Sequence, residues 1–222
     1  MFPLRDDRPT YTAPVVTTLL IIACALVFFF ELSLDDYSRD YFINRYGVIP
    51  AHPHPITLLT SLFIHGGWSH IIGNMLFLWA FGKSLEDAMG HTKFLAFYLI
   101  AGIAAGITHI AFNLNTTLPT VGASGAIAGV MGAYLVKFPR ARIHTLIFLF
   151  FFVTMADIPA AFILLYWFVT QLFSEYGSIT QTQVMNGGVA YAAHIGGFVT
   201  GMILVHLMGT RTRYFPRRDI YW

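Results

Sequence analysis

Four side chains of this 222-residue chain have the types and spacing that acyl-transfer chemistry needs: Ser124, His194, His70 and Asn74. A serine hydroxyl becomes a nucleophile when a neutral imidazole takes its proton, and the same imidazole can return that proton to a leaving amine. The oxyanion that forms on the attacked carbonyl needs donors aimed at it. His70 and Asn74 are four residues apart and would share one helix face, offering an imidazole N–H and an amide NH2. Backbone N–H groups at Ser124 and its neighbours, Gly122 among them, would add donors at a helix start, where the helix dipole has the right sign. No Asp or Glu falls within 66–83, 121–138 or 188–208, so the arrangement is a Ser/His dyad without an acidic third member.

The elements that must carry these residues follow from composition. Of the chain, 56% is apolar and 11% charged, against roughly 45–50% and about 25% in a soluble domain. Charge-free tracts run over 9–30, 46–82, 94–136, 143–156, 158–174 and 176–210. A bilayer core of roughly 30 Å is crossed by about 20 mostly apolar residues, so several tracts hold one crossing or more. The chain is a polytopic membrane protein with no separate soluble domain. Its lone cysteine, Cys24, excludes an internal disulfide framework and a cysteine-based metal site. The N-terminal apolar run is followed by Glu31 and lacks an evident small-residue cleavage site, so it is a retained crossing helix.

The expected spans are 14–33, 66–83, 93–112, 121–138, 158–174 and 188–208. The turn-forming run Asn113-Leu114-Asn115-Thr116-Thr117-Leu118-Pro119-Thr120 divides the longest tract. Ile143 to Val153 is intensely apolar but too short to cross as a helix, and is expected to lie at or dip into the membrane interface. Basic residues concentrate in cytoplasmic loops. With six spans and the N-terminus inside, Arg5, Arg8, Lys83, Lys93, Lys137, Arg140, Arg142, Arg211, Arg213, Arg217 and Arg218 are inside, and only Arg39 and Arg45 are outside. The expected fold is therefore an all-α membrane protein, a six-transmembrane-helix bundle forming a single domain over 1–222. Both termini are cytoplasmic, and a short basic tail covers 209–222.

In that topology spans 2, 4 and 6 all enter from the outer face, and their first residues are polar. Ser124 and His194 each lie a few to roughly ten Å below the outer helix ends, at about 1.5 Å rise per residue. Ser124, Ala128 and Gly132 recur every four residues, as do Ala193, Gly197 and Gly201. Such small-xxx-small faces let transmembrane backbones approach closely, so spans 4 and 6 are expected to pack side by side. Small residues in such faces usually serve packing alone, whereas an intramembrane histidine is costly and points to function. His109, near the outer end of span 3, competes as the base but has no matching small-residue face. Trp68, Trp79 and Trp167 read as packing or interfacial anchors. Glu31, Asp35, Asp36 and Asp40 read as a solvated outer loop. His65 and His70 lack a nearby carboxylate to complete a metal site.

Gly122-Ala123-Ser124-Gly125 opening span 4, Ala193-His194-Ile195-Gly196-Gly197 in span 6, and His70-x-x-x-Asn74 in span 2 together resemble the rhomboid intramembrane serine proteases, over about 14–208. The resemblance implies a six-helix core with a water-filled cavity opening outward. It implies Ser124 as nucleophile, His194 as base, and His70, Asn74 and backbone amides as the oxyanion hole, with no metal or cofactor. Span 5 would be a mobile lateral gate, and 34–65 an outer loop lying partly in the membrane. Expected partners are transmembrane protein substrates and membrane lipids, without nucleic acid, in a bacterial or archaeal cell membrane. The chain departs from some members in two places. Ala128 stands where an aromatic would stack on the histidine, and Ile56-Thr57 where a Trp-Arg pair would anchor the outer loop. The alternative function is a non-catalytic relative that binds transmembrane clients. A channel or transporter is disfavoured because the polar groups cluster at the outer side.

Overall fold

In the computed structural model, which describes residues 2–149, 152–180 and 190–210, six helices of fourteen residues or more run along one bundle. They are α1 (Val15–Ser33), α4 (Trp68–Met89), α5 (His91–Phe112), α6 (Ser124–Lys137), α7 (Ala160–Thr180) and α8 (Tyr191–Leu207). Shorter α2 (Asp36–Tyr46), α3 (Thr57–Thr60) and a 3-10 turn at Ser61–Phe63 join α1 to α4. The long helices fall where the sequence predicts spans, and two of them, α1 and α5, are long and apolar enough to cross a membrane by length and composition alone. Away from their ends they expose large apolar side chains, among them Leu19, Leu26, Ile100 and Ile107. The opening of the sixth predicted span, 188–189, and the basic tail from 211 lie outside the described residues.

Helix α6 is the centre, with every residue from Gly125 to Tyr134 buried. It packs most closely on α8. A Cβ at Gly197 would collide with the Gly125 carbonyl oxygen, one at Gly201 with that of Gly129, and one at Gly132 with that of Phe198. On its other flank Gly125 and Gly129 meet the methyls of Ala105 and Ala101 in α5, each 2.6 Å from where a Cβ would stand. The α8 face is the expected Ala193, Gly197, Gly201 stripe. On α6, Gly132 of the expected Ser124, Ala128, Gly132 row is in the contact, and the carbonyl oxygens of Gly125 and Gly129 join it. A glycine α carbon admits a carbonyl oxygen where an alanine methyl cannot: Gly197 and Gly201 of α8 and Gly132 of α6 play that part, while Gly125 and Gly129 lend α8 their carbonyl oxygens and turn their α carbons to α5.

The all-α expectation needs correction at the end of the bundle where α4 and α6 finish. Here β1 (Phe2–Asp6), β2 (Arg142–Leu149) and β3 (Phe152–Pro159) form an antiparallel sheet in the order β1-β2-β3. The described parts of the segment expected as an interfacial stretch, 143–149 and 152–153, lie in these paired strands, with Ile143 opposite Ile158 and Phe148 opposite Val153. Its β-branched and aromatic composition suits a strand, and pairing satisfies the backbone of a run too short to cross as a helix. Asp6 at the end of β1 accepts from Ser84 Oγ at 2.5 Å and Tyr134 Oη at 2.7 Å, with Lys83 Nζ at 3.6 Å. Glu86, buried in α4, accepts the backbone N–H groups of Val16 and Thr17 at 2.8 Å each. Two orphan donors at the start of α1 are thereby satisfied by a carboxylate, which the helix dipole also favours there. The seven described basic residues assigned to the inside cluster near this end, and Arg39 and Arg45 lie at the other.

If close approach of α6 and α8 holds the bundle, Gly201→Ala overpacks backbone against backbone. It should cost about 1–3 kcal/mol and lower Tm in detergent micelles by tryptophan fluorescence. Gly73 in α4 has open space around its α carbon, so Gly73→Ala should leave Tm unchanged or raise it through helix propensity, worth about 0.5–1 kcal/mol. Equal Tm changes for the two variants would refute the packing account.

Candidate active site

Ser124 is the first residue of α6 and His194 the fourth of α8. Because the two helices start at the same end and touch along their glycines, the Ser124 hydroxyl lies 2.8 Å from His194 Nε2. The serine is not one turn inside its helix, as a span beginning at 121 would have it, because 113–123 is loop. With fourteen residues against twenty-two in α5, α6 is about 12 Å shorter at 1.5 Å per residue. The serine therefore stands at the floor of a recess rather than at a helix tip on the bundle surface.

That loop is held from three sides. Thr120 exchanges backbone hydrogen bonds with Val48 at 2.8 and 2.9 Å, and the Gly122 N–H donates to the Ser61 carbonyl at 2.9 Å. Thr120 Oγ1 also lies 2.8 Å from His109 Nε2, so the competing histidine braces the loop instead of reaching Ser124. Gly122 has φ 126°, a left-handed conformation that side chains disfavour. A Cβ there would stand 2.6 Å from His70 Nε2 and 3.7 Å from Ser124 Oγ. His70 thus lies against the Gly122 α carbon, beside the serine. Asn74 is one turn deeper in α4 and buried, with its Nδ2 donating to the His70 carbonyl at 3.0 Å. Of the four residues the sequence singles out, three border one cavity of about 490 Å³, and Asn74 is not among the residues lining it.

The cavity wall also includes Ser69, His109 and Gly125. Above it, the outer loop is anchored without a Trp-Arg pair. Leu58 and Leu62 press on Gly106 and Gly102 of α5, Thr60 Oγ1 donates to the Tyr46 carbonyl at 2.7 Å, and the His65 N–H donates to Glu31 Oε1 at 3.1 Å. Glu31 is consequently buried, not part of a solvated acidic cluster. Asp35 does face solvent and caps α2, accepting the Ser38 N–H at 3.0 Å. Its carboxyl is held below the usual range by hydrogen bonds from Ser38, backbone first.

Beside His194 stand one residue that the sequence reading does not single out, Gln171, and one that it takes as a packing or interfacial anchor, Trp167. Gln171 Oε1 of α7 lies 2.8 Å from His194 Nδ1, and the Trp167 ring is 5.5 Å from the imidazole, tilted by 40°. They answer the missing aromatic at Ala128: the imidazole is bounded from α7 instead of from α6. A signal was present, since Gln171 is the one carboxamide in the tract 158–174 and a buried amide in an apolar helix demands a partner. Chemically, a hydroxyl bonded to one imidazole nitrogen, with the other nitrogen already engaged, is the minimum unit for proton removal from a serine. The first intrahelical bond of α6 runs from the Ile127 N–H to the Ala123 carbonyl at 3.0 Å. The N–H groups of Ser124, Gly125 and Ala126 are therefore left for other acceptors.

A model of the Rhomboid domain matches residues 52–211 of this chain. The mitochondrial Rhomboid protein 1 of Saccharomyces cerevisiae is 32% identical over 152 residues, covering 67% of this chain and 40% of the yeast protein. The Rhomboid protease GluP of Bacillus subtilis is 33% identical over 136 residues, 59% of this chain and 25% of GluP. The putative rhomboid protease YdcA of the same bacterium is 34% identical over 140 residues, 61% of this chain and 69% of YdcA. The chain thus spans less than half the length of the yeast protein and of GluP.

The contact between Gly122 and His70 can be tested directly. Gly122→Ala forces both a disfavoured φ and a clash with the imidazole, so it should displace His70 and slow reaction of Ser124 with a fluorophosphonate probe by at least about 10-fold, the scale of one oxyanion donor. Labelling at the wild-type rate in a folded Gly122→Ala protein would mean that His70 has no part in the site.

Proposed function

Because the chain belongs to the Rhomboid family, a family of helical integral membrane proteins with relatives named as proteases, we propose that it is an intramembrane serine endopeptidase. It cleaves transmembrane segments of other membrane proteins near the outer membrane surface. The observation that carries this reading is the 2.8 Å contact between Ser124 Oγ and His194 Nε2, made inside a cavity at the end of the bundle opposite most of the basic residues. Six crossings with both termini inside is the topology that fits six long helices and that charge distribution. Relatives include a mitochondrial protein, so family membership does not single out a bacterial or archaeal membrane.

In the proposed reaction Ser124 Oγ bonds to the scissile carbonyl carbon as its proton passes to His194 Nε2. The oxyanion is met by the N–H groups that open α6 and by His70, which stands beside the serine. Asn74, whose amide engages the His70 carbonyl, acts by fixing that turn or by turning its second N–H toward the oxyanion. Collapse breaks the C–N bond, and the proton on Nε2 moves to the departing amine, leaving an acyl ester on Ser124. A water then gives one proton to Nε2 and its hydroxyl to the acyl carbon. Breaking the ester returns that proton to Ser124 and frees the new carboxylic acid, which loses its own proton to solvent. A cavity of about 490 Å³ takes a short extended stretch rather than an intact helix of roughly 10–12 Å diameter, so substrates are segments whose helix unwinds readily.

In proteoliposomes, Ser124→Ala and His194→Ala should each abolish cleavage of a reporter transmembrane substrate while leaving Tm and insertion unchanged. His70→Ala should lower turnover by about 10- to 1000-fold, as loss of one oxyanion donor does. Cleavage surviving in Ser124→Ala refutes the assignment. An inert wild-type serine toward fluorophosphonate, together with retained binding of the reporter, would favour the non-catalytic client-binding alternative.

A further inference from the structure

Beyond Ser124 and His194, the hydrogen bonds continue into α7 in one direction only. Gln171 is 8% exposed, and its carboxamide stands between the imidazole and the backbone of its own helix. On the imidazole side Oε1 is 2.8 Å from His194 Nδ1. On the other side Nε2 is 3.4 Å from the Trp167 carbonyl and 3.3 Å from Thr170 Oγ1. A backbone carbonyl only accepts. The Thr170 hydroxyl already donates its one proton to that same carbonyl, at 2.6 Å, so toward Gln171 its oxygen also accepts. Two acceptors on one side of the amide require the NH2 there. Turning the amide over would set oxygen against oxygen twice.

With the NH2 so committed, Oε1 must face Nδ1, and an oxygen there requires the imidazole proton on Nδ1. A neutral imidazole carries one such proton, so Nε2 is bare and faces the serine hydroxyl as an acceptor. We propose that Gln171 is the positioning residue of this site: the direction of its amide, set by the Trp167 carbonyl and the Thr170 hydroxyl, holds His194 in the tautomer whose Nε2 can take the Ser124 proton. The inference rests on the reading of Ser124 and His194 as the reacting pair, and extends it.

Gln171 does for the imidazole what a buried aspartate does in Ser-His-Asp triads, with no formal charge. A carboxylate held at this depth among apolar helices would be costly to bury, and the amide avoids that cost. No proton passes to Gln171. When Nε2 takes the serine proton both ring nitrogens are protonated, and Oε1 goes on accepting from Nδ1–H. Because Gln171, Thr170 and Trp167 all belong to α7, His194 is poised only while α7 is packed on α8, and a displacement of α7 would release the base.

The test uses the full chain in detergent micelles and proteoliposomes, with Gln171→Leu, close in size but without an acceptor, and Gln171→Glu, which keeps the acceptor at the same reach. Gln171→Leu should lower kcat on the transmembrane reporter by about 10- to 100-fold, at the low end of what a general base contributes. KM should change less than about 2-fold, and fluorophosphonate labelling of Ser124 should slow by the same factor as kcat. Gln171→Glu should recover most of that loss. In wild-type protein carrying 15N-histidine, the His194 signals, assigned by their absence in His194→Ala, should report the proton on Nδ1, and in Gln171→Leu a mixture of tautomers. A proton on Nε2 in the wild type overturns the proposal without the use of any Gln171 variant. Wild-type kcat in Gln171→Leu overturns it too, as would equal losses in the Leu and Glu variants with an unchanged tautomer. Failure of the underlying dyad reading looks different: Ser124→Ala would then keep its activity whatever Gln171 does.

Discussion

Helices α6 and α8 come together until the carbonyl oxygens of Gly125 and Gly129 rest on the α carbons of Gly197 and Gly201, and the rest of the molecule is arranged around that contact. No side chain separates the two backbones along the contact. The residues just outside it, Ser124 on one helix and His194 on the other, are therefore brought within hydrogen-bonding distance without either helix bending. The pairing is also two-sided: Ala101 and Ala105 press α5 onto the same glycines, so α6 cannot slide or rotate without meeting a methyl on one flank or a carbonyl on the other. In a membrane, where apolar surface gains little by leaving lipid, close van der Waals packing of this kind is what holds helices together.

The shortness of α6 has its own consequences. Where a longer helix would fill the bundle, a loop descends to Ser124, and its polar backbone must be paired within the protein. Val48, Ser61 and His109 supply those partners, and the loop that carries Val48 and Ser61 is itself pressed onto the small residues of α5. The cavity is what remains between the descending loop, the outer loop, α4, α5 and α8. Gly122 is the point of closest approach, where only an α carbon fits under the His70 ring.

The two ends of the bundle are built differently. At one, Asp6 accepts two hydroxyl donors through a single carboxylate oxygen with Lys83 beside the other, Glu86 accepts backbone and hydroxyl donors of α1 on its two oxygens, and the short sheet ties the start of the chain to the strand that leads into α7. At the other, Glu31 is buried beneath the outer loop, but the groups gathered about Ser124 carry no carboxylate: serine, histidine, asparagine and, from α7, glutamine. A polar site deep among apolar helices is least costly when its members are uncharged and bonded in a consistent direction. The chain from the Trp167 carbonyl through Gln171 and His194 to Ser124 has that character.

Much of this was legible in the chain itself. Long gaps between charges locate helices that must meet lipid, the bias of Arg and Lys tells one end of the bundle from the other, and together these bring Ser124, His194 and His70 to one level, because each signal is local and repeats with the helix period. The glycine stripe on α8 was legible for the same reason. On α6, Gly132 of the Ser124, Ala128, Gly132 row meets α8, but the part played by the Gly125 and Gly129 carbonyl oxygens is invisible in the side-chain pattern, because every residue has a carbonyl and only packing selects which ones are used. The sheet, the burial of Glu31 and the partnership of Gln171 with His194 were decided by tertiary structure. A strand needs another strand, a carboxylate needs donors from 34 residues away, and an amide 23 residues from a histidine acquires its role only when two helices lie side by side. Sequence determines where polar groups can be tolerated in a membrane; which of them meet is settled by how closely the backbones can pack.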